Sequence, residues 1–99
     1  MYELIRMRAK ITLSDTPNGR KEPFTSGYRP LFNFSDAVTR ISGRIDLIDK
    51  DSFSVGMTDV VYLTFIKGMI EDTHFSSGVK FTFSEGADAL GAGEILSKL

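Results

Sequence analysis

The sequence contains no cysteine, which excludes disulfide bonds and thiolate metal sites. It also lacks a long apolar run. Residues 1–8 hold no apolar segment of signal-peptide length, and no later stretch approaches the length of a membrane span. We therefore expect neither a signal peptide nor a transmembrane segment. The absence of cysteine suits a reducing compartment, and we predict a soluble, cytoplasmic protein.

An excess of charge of one sign is also missing. Twelve basic residues stand against thirteen acidic ones, which leaves a net charge of −1. A nucleic-acid-binding domain is expected to carry a basic stripe and a high isoelectric point. The overall charge therefore gives no reason by itself to expect a nucleic-acid partner.

Sequence motifs for catalysis are absent too. The chain has neither a phosphate-binding Gly-x-x-x-x-Gly-Lys-Ser/Thr loop nor a nucleophile elbow. Its one histidine, His74, has only Glu71 and Asp72 beside it, and they are too close in sequence to form a well-shaped metal site with it. We predict no catalytic residue, no metal and no cofactor.

Short stretches of alternating apolar and polar residues dominate the chain, and this alternation is typical of β-strands. No window of eleven or more residues shows helical periodicity. Residues 69–74 form either a weak strand or an irregular connection. The pattern predicts one all-β domain over residues 1–99, either a sandwich or a barrel. The predicted strands are 4–13, 31–34, 40–48, 60–67, 80–84 and 91–96.

Two features of these strands indicate how the core is built. Gly91 and Gly93 lie two apart and face the same side of the last strand, where glycine marks a barrel corner or a close backbone approach. Barrel closure explains both most simply. The aromatic residues at alternating strand positions are best explained by core packing, with base stacking as the alternative. They are Phe32, Phe34, Phe65, Phe81 and Phe83.

Three motifs, in the same order, resemble the C-terminal (third) domain of elongation factor Tu. Residues 19–34 resemble its Gly-Arg-His, Pro-Phe-Phe and Gly-Tyr-Arg-Pro-Gln-Phe-Tyr-Phe segments. Residues 42–47 resemble its Thr-Gly-x-Ile-Glu-Leu strand, and residues 81–96 resemble its ending in Glu-Gly-Gly and Gly-Ala-Gly. The likeness extends over about residues 7–99. It implies a six-stranded antiparallel β-barrel with Greek-key topology.

The resemblance also implies a function. In that family the barrel carries no catalysis, because GTP binding and hydrolysis belong to a separate N-terminal domain. The barrel instead contacts the T-stem backbone of aminoacyl-tRNA, the GTPase domain and the nucleotide-exchange factor. For this chain the resemblance therefore implies a binding module that is not an enzyme.

The family's binding surface is retained in part. Arg20 matches an arginine on the tRNA side, and Lys21 stands where a histidine is usual. Ser42 keeps the hydroxyl of a threonine, whereas Leu31 replaces a glutamine. Tyr28 and Arg29 belong to the shared Gly-Tyr-Arg-Pro motif, for which a structural role is the simpler explanation: a packed tyrosine and an arginine paired with a carboxylate. The expected contacts with RNA or a protein partner are Arg20, Lys21, Tyr28, Arg29, Leu31 and Ser42.

The basic face is altered at the last turn. Ser84 and Asp88 replace the two arginines that flank this turn in the family, so two positive charges are lost and one negative charge is gained. Phosphate neutralisation dominates nucleic-acid affinity, and we therefore expect RNA binding to be weakened. Our leading hypothesis is a protein-interaction or regulatory module linked to translation. The alternative is a weak tRNA- or RNA-binding module that uses the barrel's loop face.

Homodimerisation is a further expectation. In the parent factor the barrel packs against two neighbouring domains, so a barrel without them would expose apolar surface that a symmetric dimer could cover. Leu31, in place of a polar residue, agrees with this idea.

Overall fold

The computed structural model describes residues 3–15, 22–34, 40–69, 71–86 and 88–99. Within these ranges the chain forms seven β-strands and one short 3-10 helix, Asp72–Phe75. The strands are β1 (Leu4–Leu13), β2 (Leu31–Phe34), β3 (Ile41–Ser42), β4 (Arg44–Leu47), β5 (Thr58–Ile66), β6 (Lys80–Ser84) and β7 (Ala89–Lys98).

The strands form one antiparallel sheet in the order β3-β2-β6-β7-β1-β5-β4. This sheet curls into a half-barrel, which confirms the all-β prediction. The long strand β1 lies near its centre and pairs with β5 from Leu4 opposite Ile66 to Thr12 opposite Thr58. Strands β3 and β4 occupy the two ends of the strand order, although only Gly43 separates them in sequence.

Three predicted strands, 4–13, 31–34 and 80–84, are found with the same boundaries. The predicted strand 40–48 is instead two strands, because the chain changes partner at Gly43 from β2 to β5. A side chain cannot be accommodated there: a Cβ atom at Gly43 would lie 2.4 Å from Cε1 of Phe65.

The later boundaries differ because cross-strand partners extend the pairing. Strand β5 begins at Thr58, and β7 runs beyond the predicted 91–96 at both ends, where Ala89 pairs with β6 and Lys98 pairs with β1. Of the predicted segment 69–74, the residues that the structure describes, 69 and 71–74, form no strand. The 3-10 helix there buries Phe75, whose ring stacks 5.1 Å from that of Phe65.

Alternation along the strands separates the core from the outer surface. On β1, the residues Met7, Ala9 and Ile11 are fully buried, whereas the intervening Arg6 and Arg8 are exposed. Aromatic rings fill much of the interior, and some of them meet edge to face, as do Phe32 and Phe65 at 4.9 Å. Core packing is confirmed for the five alternating phenylalanines, namely Phe32, Phe34, Phe65, Phe81 and Phe83.

The paired glycines of β7 allow a close approach of aromatic rings. Gly91 lies opposite Phe83 and Gly93 lies opposite Phe81 across the β6–β7 pair. A Cβ atom at Gly91 would lie 2.3 Å from Cζ of Phe83, and one at Gly93 would lie 2.6 Å from Cζ of Phe81. The two rings therefore occupy the space that side chains at these positions would need.

Candidate functional site

Two arginines flank a threonine on the outer side of the sheet. Thr64 of β5 lies opposite Arg6 of β1 on one side and opposite Arg44 of β4 on the other. The guanidinium of Arg6 lies over the ring of Tyr62, with its central carbon 5.7 Å from the ring centroid. This distance is within the range of a cation–π interaction, which holds the Arg6 side chain against the sheet.

A third arginine, Arg29, lies beside Arg44. The chain before β2 runs antiparallel to β3 and β4, with the amide of Ile45 donating to the carbonyl of Tyr28 at 2.8 Å and that of Gly43 donating to Pro30 at 3.3 Å. Alternation then places Arg29 on the same side as Arg44.

Arg29, Arg44 and Thr64 line a cleft of about 240 Å³ at the end of the β1–β5 pair where β1 begins. We call it the arginine cleft. Its polar residues come from three separate parts of the chain: the segment before β2, the β3–β4 region and β5. Its apolar residues are supplied by the start of β1 and the end of β5. The lining consists of Leu4, Arg29, Ser42, Arg44, Thr64, Phe65 and Ile66.

The charges of the cleft are only partly balanced. Nε of Arg44 donates to Oδ2 of Asp46 at 2.8 Å. Arg29 forms no ion pair with any residue in the described part of the chain. Both side chains of the Arg44–Asp46 pair are partly exposed, and solvent-exposed ion pairs contribute about 0–1 kcal/mol. The cleft therefore keeps a positive charge that no described residue pairs, next to an arginine that an incoming anion could also reach.

No described residue hydrogen-bonds the hydroxyl of Thr64. Thr64 is only 6% exposed, and its Oγ1 is the one buried side-chain oxygen or nitrogen among the described residues that no hydrogen bond satisfies. Leaving such a group unsatisfied costs about 1–3 kcal/mol. A hydroxyl in this state beside a cationic cleft requires a physical explanation.

The structure brings together some of the residues expected to contact a partner. Arg29 and Ser42 both line the arginine cleft. Leu31 is the cross-strand partner of Ser42 and is 38% exposed at the cleft's edge. Two of the remaining three expected contacts, Arg20 and Lys21, lie outside the described residues.

Tyr28 does not join the arginine cleft. Its ring stacks on that of Phe24 with the centroids 4.5 Å apart, and its hydroxyl donates to the carboxylate of Glu85. These contacts agree with the packing role expected for this tyrosine. The carboxylate partner expected for Arg29 is not found among the described residues.

Five cleft residues were not among the expected contacts: Leu4, Arg44, Thr64, Phe65 and Ile66. Arg44 could have been found from the sequence, because Ser42 and Arg44 are two apart in a strand and so share a face. Leu4 and Thr64 gave no comparable signal. A threonine in a strand is ordinary, and its importance here comes from the arginines on either side.

No model of a known protein family matches this chain. Among the described residues, no three histidine, aspartate or glutamate side chains lie close enough together to hold a metal ion. No helix within the described ranges has the length and apolar character needed to cross a membrane.

Proposed function

We propose that this protein is a non-catalytic binding module with the six-stranded Greek-key barrel of the elongation factor Tu C-terminal domain, and that it has a protein-interaction or regulatory role linked to translation. The three sequence motifs support the barrel. The short gap between β3 and β4 supports the barrel as well, because only Gly43 separates these two strands. If residues 41–47 are counted as one continuous strand, the two ends of the strand order are joined and the seven strands become six.

The arginine cleft is the observation that carries the protein-binding function. Arginines and exposed leucines lie side by side there, with Leu4 61% exposed and Leu31 beside Ser42. Arginine is enriched at protein interfaces, whereas lysine is depleted. Arginine is also among the residues enriched at the hot spots of binding energy. This combination fits a protein partner better than it fits a hydrated phosphate backbone.

Affinity purification from the native cell tests this proposal. We expect the wild-type chain to recover a protein partner that the double variant Arg29→Ala/Arg44→Ala loses. The matched control is Arg8→Ala, which also removes an exposed arginine but lies outside the cleft, where its Nε donates to Ser97 Oγ at 3.3 Å. Recovery of RNA with no protein partner would contradict the proposal.

RNA binding is the second candidate, and one observation favours it. The outward positions of β1 carry three basic residues in succession, Arg6, Arg8 and Lys10, which form a stripe that the net charge of the whole chain conceals. The stripe is interrupted on its β7 side, where Glu94 lies opposite Lys10.

The salt dependence of RNA affinity tests the second candidate. Each phosphate contact releases about one counterion, so removing one contact reduces the slope of log affinity against log salt by about 1. We expect that reduction for Arg8→Ala and Lys10→Ala, and for Arg20→Ala and Lys21→Ala if the loop also binds. The absence of measurable RNA affinity at low salt would exclude this function.

A further inference from the structure

We infer that the arginine cleft is a carboxylate-binding site that takes an aspartate or glutamate side chain, with an apolar neighbour, from an acidic segment of the protein partner. This inference rests on the proposed protein-binding function and adds the chemistry that the cleft would recognise.

The two arginines supply the recognition of charge. A guanidinium presents its donors in a planar fork that matches the two oxygens of a carboxylate. Arg29 has no ion-pair partner among the described residues, so no described carboxylate occupies its fork. Arg44 already holds one carboxylate, that of Asp46, through Nε. Its two terminal nitrogens form no hydrogen bond with the described part of the chain and can bind a second carboxylate.

A carboxylate ligand would also explain the unsatisfied hydroxyl of Thr64. Ser42 is exposed at the cleft and can donate to a carboxylate oxygen. The Thr64 hydroxyl is buried in register between Arg44 and Arg6, so a ligand reaches it only when a flanking side chain turns outward. An incoming carboxylate that turns the terminal nitrogens of Arg44 outward would give Thr64 the acceptor that no described residue supplies in the free protein.

The size and lining of the cleft favour a protein carboxylate over a phosphate. Its volume of about 240 Å³ is below the range of about 300–1,000 Å³ that is typical of small-molecule sites, and it suits a single side chain. Leu4, Phe65 and Ile66 line its apolar part. An apolar residue beside the carboxylate would cover the exposed Leu4, whereas the backbone of RNA offers no apolar group to do so.

Titrations of the ¹⁵N-labelled full chain with two matched peptides test the inference by NMR. The peptides are Ac-Leu-Glu-Leu amide and Ac-Leu-Gln-Leu amide, which differ only in the carboxylate. We expect the first to shift the amide signals of Arg29, Ser42, Arg44 and Thr64 and to bind about tenfold more tightly than the second, since hydrogen bonds to charged groups are worth that factor or more. Equal binding of the two peptides would overturn the inference.

Variants of the cleft sharpen the test. Arg44→Lys keeps the charge but removes the fork, and we expect about tenfold weaker binding of the glutamate peptide. Thr64→Val keeps the shape of the side chain and removes only the hydroxyl, and we expect binding to weaken about fivefold. The Arg8→Ala control should bind as the wild type does. Chemical-shift dispersion in each variant's own spectrum shows that it is folded, so a loss of binding is not mistaken for unfolding.

Two further probes separate this inference from the proposed function. If inorganic phosphate or a short RNA hairpin shifts the cleft signals while the glutamate peptide does not, the cleft is a phosphate site and the inference is wrong. If affinity purification recovers a protein partner that Arg29→Ala/Arg44→Ala still binds, the protein-binding function stands and the carboxylate site is again wrong. If the glutamate peptide binds the cleft but affinity purification recovers only RNA, the carboxylate site is supported and the proposed protein-binding function is contradicted.

Discussion

The two ends of the β1–β5 strand pair differ in whether a threonine hydroxyl there is hydrogen-bonded. At one end Thr12 and Thr58 are cross-strand partners, and their hydroxyl oxygens lie 2.6 Å apart in a hydrogen bond. At the other end Thr64 stands between Arg6 and Arg44, and no described residue partners its hydroxyl. The strands and the pairing are the same at both ends. The missing hydrogen bond therefore follows from the identity of the neighbours and not from the geometry of the sheet.

The surroundings of the two threonine sites differ in the same way. Ala92 of β7 lies opposite Thr12, and Thr82 of β6 lies opposite Ala92, so this row of cross-strand neighbours carries no charge. The row that contains Thr64 carries arginines on both sides. The cross-strand neighbours of Thr12 are therefore uncharged and its hydroxyl is satisfied, whereas those of Thr64 are cationic and no described residue satisfies its buried hydroxyl. Such a difference between regions marks the second one as the place to look for binding.

We expect the largest effect on stability at Gly43, which lies between the cleft residues Ser42 and Arg44. Gly43→Ala would place a Cβ atom 2.4 Å from the Phe65 ring and 2.9 Å from the Phe32 ring. Overpacking of this kind costs about 1–3 kcal/mol, and we expect the free energy of unfolding in urea to fall by that amount. The control is Gly86→Ala, since nothing lies within 4 Å of a Cβ atom there. An equal loss in both variants would show that the rings do not limit the space at Gly43.

The next largest effects on stability are expected when the Thr64 and Thr58 hydroxyls are removed, and they test the comparison directly. Thr64→Val removes a buried hydroxyl without a partner, and we expect it to stabilise the free protein by about 1 kcal/mol. Thr58→Val removes one side of a satisfied and exposed pair, and we expect it to destabilise the protein by about 0.5 kcal/mol. Thermal and urea unfolding of both variants measure these changes. Changes of the same sign would break the comparison.

The smallest expected effect concerns the ion pair at the edge of the cleft. Asp46→Asn should change the free energy of unfolding by less than about 0.5 kcal/mol, because the pair with Arg44 is partly exposed and screened by solvent. The same variant frees Arg44, so we expect the glutamate peptide to bind more tightly. Peptide titration and urea unfolding of one sample measure both quantities. A large loss of stability with unchanged binding would show that the pair serves the fold and not the cleft.

The strands could be predicted well from the sequence because alternation is a local pattern. Residues 4–13 show which side chains of β1 enter the core, and the structure agrees at each buried position from Met7 to Leu13. The break at Gly43 could not be predicted, because it depends on two rings from distant strands, Phe32 and Phe65. The 3-10 helix over Asp72–Phe75 was missed for a similar reason: its place depends on Phe75 packing against the core.

The candidate site was predicted only in part. Arg29, Leu31 and Ser42 were expected at a contact surface and lie at or beside the arginine cleft, whereas Tyr28 packs elsewhere. The cleft also needs Arg44 and Thr64, and nothing in the local sequence around residue 64 distinguishes that threonine from one on any other strand.

The sequence by itself determined the class of the fold and the side of the sheet that each strand residue faces. Both follow from the two-residue repeat of an extended chain, which needs no knowledge of other segments. Only the tertiary structure decided which residues are neighbours across strands, because register depends on pairing between segments far apart in sequence. That register makes one threonine the satisfied partner of another and places Thr64 between two arginines, where no described residue pairs its hydroxyl.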